Sequence, residues 1–178
     1  VRVDPRALRN CLGHFATGVT VVTCEADGAP HGATVNAFTA VSLDPPLVLV
    51  SLDRDTKACK YLDDRPFTVN VLREKQDDVA LHFAGRPMTE APAWERPSDD
   101  TLAPRLAGSL ATIACAPWRS YDGGDHVLYL GEVREFEFHG GDPLVFYLGG
   151  FRHLGDVFET VPWLESADCP GLSWFRPS

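Results

Sequence analysis

Seven residues, Ser51-Leu52-Asp53-Arg54-Asp55-Thr56-Lys57, bring two hydroxyls, two cations and two carboxylates together at the end of an apolar run. Ser51, Thr56, Arg54 and Lys57, with backbone N–H groups at a helix beginning near residue 56, could hold a phosphate, because orphan N–H donors at a helix start favour anions. The same seven residues also read as a solvated turn followed by a capped helix. A second stretch, Thr34-Val35-Asn36-Ala37, is small and polar inside a strand. A flat ring could lie close to such a backbone; equally, Thr34 and Asn36 could face solvent from a strand edge. His126 follows Gly123-Gly124-Asp125 at a turn-to-strand junction, where it could meet a ligand by hydrogen bonding or stacking. Phe83-Ala84-Gly85-Arg86 sets a glycine and a cation after a helix, as a C-cap or an anion contact. Arg152 and His153 follow Gly149-Gly150 and form a basic spot in an acidic chain.

The chain lacks several familiar catalytic devices. It has no G-x-G-x-x-G after a strand, no Walker loop and no G-x-S-x-G elbow. With no nucleophile of its own in a recognisable setting, the chain points to a bound cofactor as the carrier of the chemistry. Its cysteines, at 11, 24, 59, 115 and 169, are odd in number and widely spaced, with no C-x-x-C. This pattern predicts reduced, mostly buried thiols in a cytoplasmic protein rather than a disulfide framework. The six histidines form no H-x-x-x-H pair, so no metal site is expected.

Elements must position these groups. Asp4 and Pro5 open a helix that helical spacing of Leu8, Leu12 and Phe15 carries to Gly18. It reads as a surface helix covering one end of a core. Val19–Cys24 and His31–Leu43 form a hairpin about Asp27-Gly28. Asp44-Pro45-Pro46 breaks the second strand, and Leu47–Leu52 is an apolar strand buried on both faces. A short helix capped by Asp55 spans 56–62, a strand spans 67–72, and a helix spans 76–83. Residues 84–108 form a long proline-containing loop, of a length that is usually functional or mobile. Strands follow at 109–118 and 126–138, with a possible bulge at Gly131, and then 143–148. That makes about seven strands joined mostly by short turns, a pattern that fits an antiparallel barrel better than a doubly wound sheet.

One domain is the default for 178 residues, with 44% hydrophobic composition sufficient for a core. The net charge of −9 lacks the basic footprint of a nucleic-acid binder and disfavours an anionic membrane. No apolar run approaches a membrane span, and no signal peptide is evident at the N-terminus.

In order along the chain, several segments resemble the flavin reductase-like family. They are Phe15-Ala-Thr-Gly-Val-Thr-Val-Val-Thr23, Thr34–Val50, Phe67-Thr-Val-Asn-Val-Leu72, Phe83-Ala-Gly85, Gly124-Asp-His126 with Gly131-Glu-Val133, and Pro143-Leu-Val-Phe-Tyr147. Each is weak alone; in order they make a resemblance that spans roughly residues 4–154. The likeness is greatest to the NAD(P)H:flavin reductase components of two-component monooxygenases. It implies a mainly β, antiparallel Greek-key split barrel (the FMN-binding split barrel) with a few short helices. The domain would span 1–154, with the acidic tail 155–178, containing Trp163 and Trp174, packed on it.

The resemblance further implies a homodimer that binds FMN or FAD near the interface and takes hydride from NADH or NADPH. Reduced flavin would pass to a partner monooxygenase. Thr34, Val35, Asn36 and Ala37 would flank the ring. Ser51, Leu52, Asp53, Thr56 and Lys57 would meet the phosphate end, with Phe83, Gly85 and Arg86 nearby. Asp125 and His126 would lie by the nicotinamide, with His126 orienting it, and Arg152 would stand near the same pocket. Two other readings are a flavoprotein that keeps its flavin as a prosthetic group, and a non-catalytic flavin- or haem-binding split barrel. This chain departs from the family pattern at Val35, where Ala or Ser is usual, at residues 86–104, and in its long tail.

Overall fold

The computed structural model describes residues 3–156; the tail expected over 155–178 falls almost wholly outside this range. Asp4 caps α1 (Pro5–Leu12), its carboxylate accepting from the N–H groups of Arg6 at 3.1 Å and Ala7 at 3.4 Å. The helix stops at Leu12 rather than Gly18. Beyond it the chain enters a short strand, β1 (Thr17–Gly18), which pairs with β11 (Val145–Tyr147), and Leu148 donates to the Gly13 carbonyl. No residue of α1 is buried, so it covers no core in this chain, contrary to the sequence expectation.

β2 (Thr20–Ala26) and β3 (Ala29–Val35) form the expected hairpin. Asp27 and Gly28 both take positive φ, 54° and 73°, as a two-residue turn matched to strand twist requires. The stretch read as one strand from His31 to Leu43 is two. β3 ends at Val35 and β4 (Phe38–Leu43) begins after Asn36-Ala37. The remaining elements are β5 (Pro46–Asp53), α2 (Lys57–Leu62), β6 (Phe67–Val71), α3 (Asp77–Phe83), β7 (Trp94–Glu95), β8 (Arg105–Leu106), β9 (Ala111–Gly123), β10 (His126–Phe138), β11 and β12 (Gly150–Arg152).

Seven strands make one antiparallel sheet in the order β3-β2-β6-β9-β10-β5-β4. Its two edge strands, β3 and β4, are only two residues apart in the chain. The sheet must therefore roll until its edges nearly meet at Asn36-Ala37, and this rolled, incompletely sealed sheet is the split barrel. Inside it lie Val22, Cys24, Val50, Leu52, Leu62, Phe67, Val69 and Cys115. Burial pushes the thiol of Cys24 up to about 11 and that of Cys115 up to about 12, so both stay protonated and behave as small apolar side chains. Alternate residues of β2 point the other way. Val19 and Val21 join Leu72, Ala80, Leu106 and Leu144 in a second apolar layer beneath α3. Backbone bonds from Val19 to Leu144, Leu144 to Leu72 and Leu72 to Val19, at 2.9–3.1 Å, tie the small β1–β11–β12 sheet to the main one there.

A register shift does fall at Gly131, but the extra residue is Trp118 on the facing strand. Gly131 is needed for close approach: a Cβ there would lie 2.5 Å from the Phe67 ring and 2.6 Å from Cys115 Cβ. The long segment after α3 is fastened down. Thr68 Oγ1 donates to Ala103 O at 2.8 Å, Thr23 Oγ1 to Pro104 O at 2.5 Å, and Leu106 N to Asn70 Oδ1 at 2.8 Å. Arg105, with its side chain 14% exposed, stands within 3.3 Å of Glu95 and 3.0 Å of Glu137 and also reaches Glu135, which Ser98 holds in turn. Hydrogen bonds and ion pairs to β6 and β10, beside the scattered buried side chains Leu102, Ala103 and Leu106, anchor a segment that carries no periodic apolar pattern.

Asn70 is the central anchor. Fully buried, it donates from Nδ2 to Val21 O at 2.9 Å and to Thr23 Oγ1 at 3.1 Å while accepting from Leu106. Replacing it with leucine leaves buried donors and acceptors without partners, each a loss of about 1–3 kcal/mol. Asn70→Leu should lower the thermal midpoint by roughly 10 °C or more, given ~2–4 °C per kcal/mol for a chain of this size, and expose 84–108 to limited proteolysis. An unchanged midpoint in differential scanning calorimetry would contradict this account.

Candidate active site

The β3–β4 junction opens onto a cleft of about 530 Å³. One wall is Thr34-Val35-Asn36; opposite stand the α3 end with Arg86 and the turn at Gly149-Gly150. Two hydrogen bonds set the first wall. Thr20 Oγ1 donates to Val35 O at 2.9 Å, and Thr34 Oγ1 donates to Ala80 O at 2.7 Å. Thr34 is thus turned toward α3, and Val35 packs partly against the barrel core. Gly149 has φ 77°, and a Cβ built on it would meet nothing within 4 Å, so bare backbone faces the cleft. Arg86 is the one charged residue in the cleft lining among the described residues. A slot of this size, with small apolar walls and one cation, suits a flat, partly anionic ring system.

The hydroxyl-rich turn adjoins this wall. Ser51 N–H donates to Ala37 O at 3.0 Å, which sets residues 51–53 beside 36–37. Within the turn, much of the polar chemistry is already used. Asp53 Oδ1 accepts from Asp55 N–H at 2.8 Å. Thr56 Oγ1 donates to Asp53 O at 2.7 Å and accepts from Cys59 N–H at 3.2 Å. Thr56, not Asp55, is therefore the cap of α2. No protein hydrogen bond engages the Ser51 hydroxyl or the Lys57 ammonium among the described residues, so both are available to a ligand. Leu52 points into the barrel core and offers only its backbone.

Asp53 sits directly opposite His126 in the β5–β10 pairing, which carries the rim on to the hairpin tip. There Asp125 Oδ1 lies 2.7 Å from His126 Nδ1. A carboxylate can only accept, so Nδ1 carries the proton, and whenever the half-exposed ring is neutral Nε2 is left as an acceptor. The hydrogen bond from His126, followed by its charge, holds the Asp125 carboxyl below the usual carboxylate range. This bond to the carboxylate is therefore lost as pH falls through that depressed value.

Three other residues resolve as follows. Phe83 packs in the second core, 5.9 Å from the Trp94 ring and against Gly32, where a Cβ would come within 2.7 Å of it. Gly85, at φ 93°, closes α3: its N–H donates to His82 O and that of Arg86 to Leu81 O, a Schellman arrangement. Gly85 thereby aims Arg86 at the cleft. Arg152 is exposed at the end of β12, its guanidinium donating to Phe151 O at 3.0 Å. Sequence reasoning missed Val19, Ala80 and Phe146 as lining residues, because each comes from a different segment and carries no local signal.

A second hollow, of about 500 Å³, lies between α2 and the β9–β10 hairpin. Tyr129 crosses its floor, donating to Cys59 O at 2.8 Å, and burial raises its phenol well above the ordinary value.

A family model described as a flavin reductase like domain matches residues 12–155. An NADH-dependent flavin reductase of Rhodococcus sp. is 42% identical over 168 residues, 90% of this chain and 93% of the relative. The reductase component of a 4-nitrophenol 4-monooxygenase/4-nitrocatechol 2-monooxygenase from Rhodococcus opacus is 37% identical, covering 85% and 82%. Among solved structures, the Streptomyces globisporus NADH:FAD oxidoreductase SgcE6, in complex with NAD and FAD fragments, superposes with a TM-score of 0.79 at 38% identity, covering 87% of this chain and 97% of that one.

The geometry at the hairpin tip gives a direct check. At a pH where the His126 ring is neutral, a two-bond ¹H–¹⁵N correlation spectrum should show the proton on Nδ1. In Asp125→Asn, whose amide can also donate, the population should move toward Nε2–H; an identical spectrum would refute the assignment.

Proposed function

Because the chain belongs to the flavin reductase-like family, we propose that it is an NADH-dependent flavin reductase that supplies reduced FMN or FAD to a separate monooxygenase. The observation that carries this reading is the single rim on which three sequence segments meet. The cleft wall at Thr34–Asn36 touches Ser51 through Ala37, and Asp53 faces His126.

Bound flavin would supply the acceptor, its N5 taking the hydride released from C4 of the nicotinamide. The chain's part is binding, alignment and exclusion of water. The Thr34–Ala37 backbone forms one wall for the ring, and the glycine turn at 149–150 lets a second surface approach closely. Ser51 and Lys57, whose polar groups are uncommitted, hold the phosphate together with backbone N–H groups of the turn. Arg86 offers positive charge to the ring edge that becomes electron-rich on reduction. His126 orients the nicotinamide: with Nδ1–H tied to Asp125, its Nε2 accepts from the carboxamide N–H. No proton transfer by His126 is required.

A homodimer is part of this proposal. Leu12, Phe15, Leu43, Phe136 and Phe138 are large apolar side chains between 58% and 79% exposed, and α1 buries nothing on its own chain. These exposed apolar groups are what the dimer reading rests on. The separately buried thiols of Cys24, Cys59 and Cys115 support a reducing, cytoplasmic setting, and no helix among the described residues is long and apolar enough to cross a membrane.

NADH oxidation followed at 340 nm should saturate with added free FMN or FAD. Turnover independent of added flavin would favour a prosthetic flavin, and none at all would sink the reductase reading. In the same assay His126→Ala should raise the KM for NADH by about tenfold, a typical loss for a misoriented reactant, while the flavin KM changes less. Sedimentation equilibrium should report a dimer that Phe136→Glu with Phe138→Glu weakens; a monomeric wild type would remove the dimer from the proposal.

A further inference from the structure

We propose that Arg54 is a positioning residue that fixes where His126 stands relative to the flavin-holding turn. The inference rests on the reductase reading for its functional meaning, but its geometry is independent of it. In the sequence, Arg54 looks like one more cation for a phosphate. In the fold its side chain turns the other way and grips the β9–β10 tip. Its backbone N–H donates to Asp125 O at 3.0 Å. Nε donates to Gly124 O at 3.0 Å and Nη2 to His126 O at 3.2 Å, and Nη2 lies 3.1 Å from the Asp122 carboxylate. One residue thus holds four positions of a five-residue tip.

The tip has little else to hold it. β6 pairs with β9 only as far as Cys115, so residues 117–123 have β10 as their sole strand partner among the described residues, and that stretch of β9 is exposed throughout. The β5–β10 ladder ends at the Asp53–His126 pair. Gly124, at φ 81°, has nothing within 4 Å of where a Cβ would be. The β5 ladder therefore fastens His126 itself, while residues 122–125 lie beyond its last pair, and the setting of the Asp125–His126 pair depends on what grips that turn. Arg54 does so from the residue between Asp53 and Asp55, inside the turn that bears Ser51 and Lys57. The turn and the tip therefore move as one piece. The contacts need a planar guanidinium with donors in a fixed fork; a lysine ammonium retains the charge but cannot span Gly124, His126 and Asp122 together.

The test uses the full chain with Arg54→Gln and Arg54→Lys. Both should lower kcat/KM for NADH by roughly tenfold to a hundredfold, the range expected when reactants are misplaced by about an ångström. The flavin KM should stay within about threefold of wild type, a range that phosphate ligation through Arg54 would exceed. Stereoselectivity of deuterium transfer from C4-labelled NADH should fall in both, which a merely destabilised fold would not produce. Independently of activity, amide signals of residues 122–126 should shift or broaden in the variants while the rest of the spectrum is kept. Recovery of wild-type behaviour in Arg54→Lys would show that charge alone matters and overturn the proposal. A raised flavin KM with an unchanged NADH KM would make Arg54 a phosphate ligand instead, and loss of the folded spectrum in both variants would make it a fold determinant. If wild type oxidises no NADH, the reductase reading fails, and the tip signals still decide the role of Arg54.

Discussion

The two-residue link between β3 and β4 is the constraint on which the structure depends. These strands are the opposite edges of a seven-stranded sheet, and Asn36-Ala37 is too short to let them stay apart. The sheet rolls, its concave face encloses Phe67, Leu62 and Val50, and its edges come together without sealing. The unsealed seam leaves backbone exposed where β3 gives way to β4. A site at this seam needs no dedicated loop, because the barrel's closure already presents a wall of Thr34, Val35 and Asn36.

Polar anchors then decide what lies over the barrel. The face of β2 and β6 turned toward the second layer carries Thr23, Thr68 and Asn70, all buried. Their hydrogen bonds catch Ala103, Pro104 and Leu106 and seat the long segment 84–108. Arg105 fixes its return through the carboxylates of β7 and β10. Buried polar groups that are fully satisfied specify a unique arrangement, and this one leaves α3, and so Arg86, at a defined place beside the cleft.

A division of labour runs through the site. Thr34, Thr56, Gly85 and Arg54 spend their side chains or conformational freedom on the fold. Among the described residues, Ser51, Lys57, Arg86 and His126 Nε2 are left free of protein partners or face the cleft or solvent. Several residues that look functional by type are thus supports. Lys57 adjoins Thr56, Arg86 adjoins Gly85, and Arg54 donates to the His126 carbonyl, so these supports help the open rim keep its geometry.

Much of the fold was legible in the sequence because its signals are local. Asp27-Gly28 calls for a tight turn, Asp44-Pro45-Pro46 ends a strand, and alternating β-branched residues mark the ladders. The apolar core positions and the family resemblance followed from the same patterns. The split of 31–43 into two edge strands was not legible, since Asn36-Ala37 carries no breaker and only closure of the sheet separates β3 from β4. The end of α1 at Leu12 was hidden for a similar reason: pairing of Thr17-Gly18 with β11 overrides helical spacing in Phe15. The sequence alone determined which residue types were candidates for holding a ring and a phosphate, and the family resemblance added the nicotinamide role proposed for His126. Only the tertiary structure decided which are free to act. A hydroxyl or guanidinium is claimed by whichever acceptor the fold brings within hydrogen-bonding distance, and that distance is a property of the folded chain.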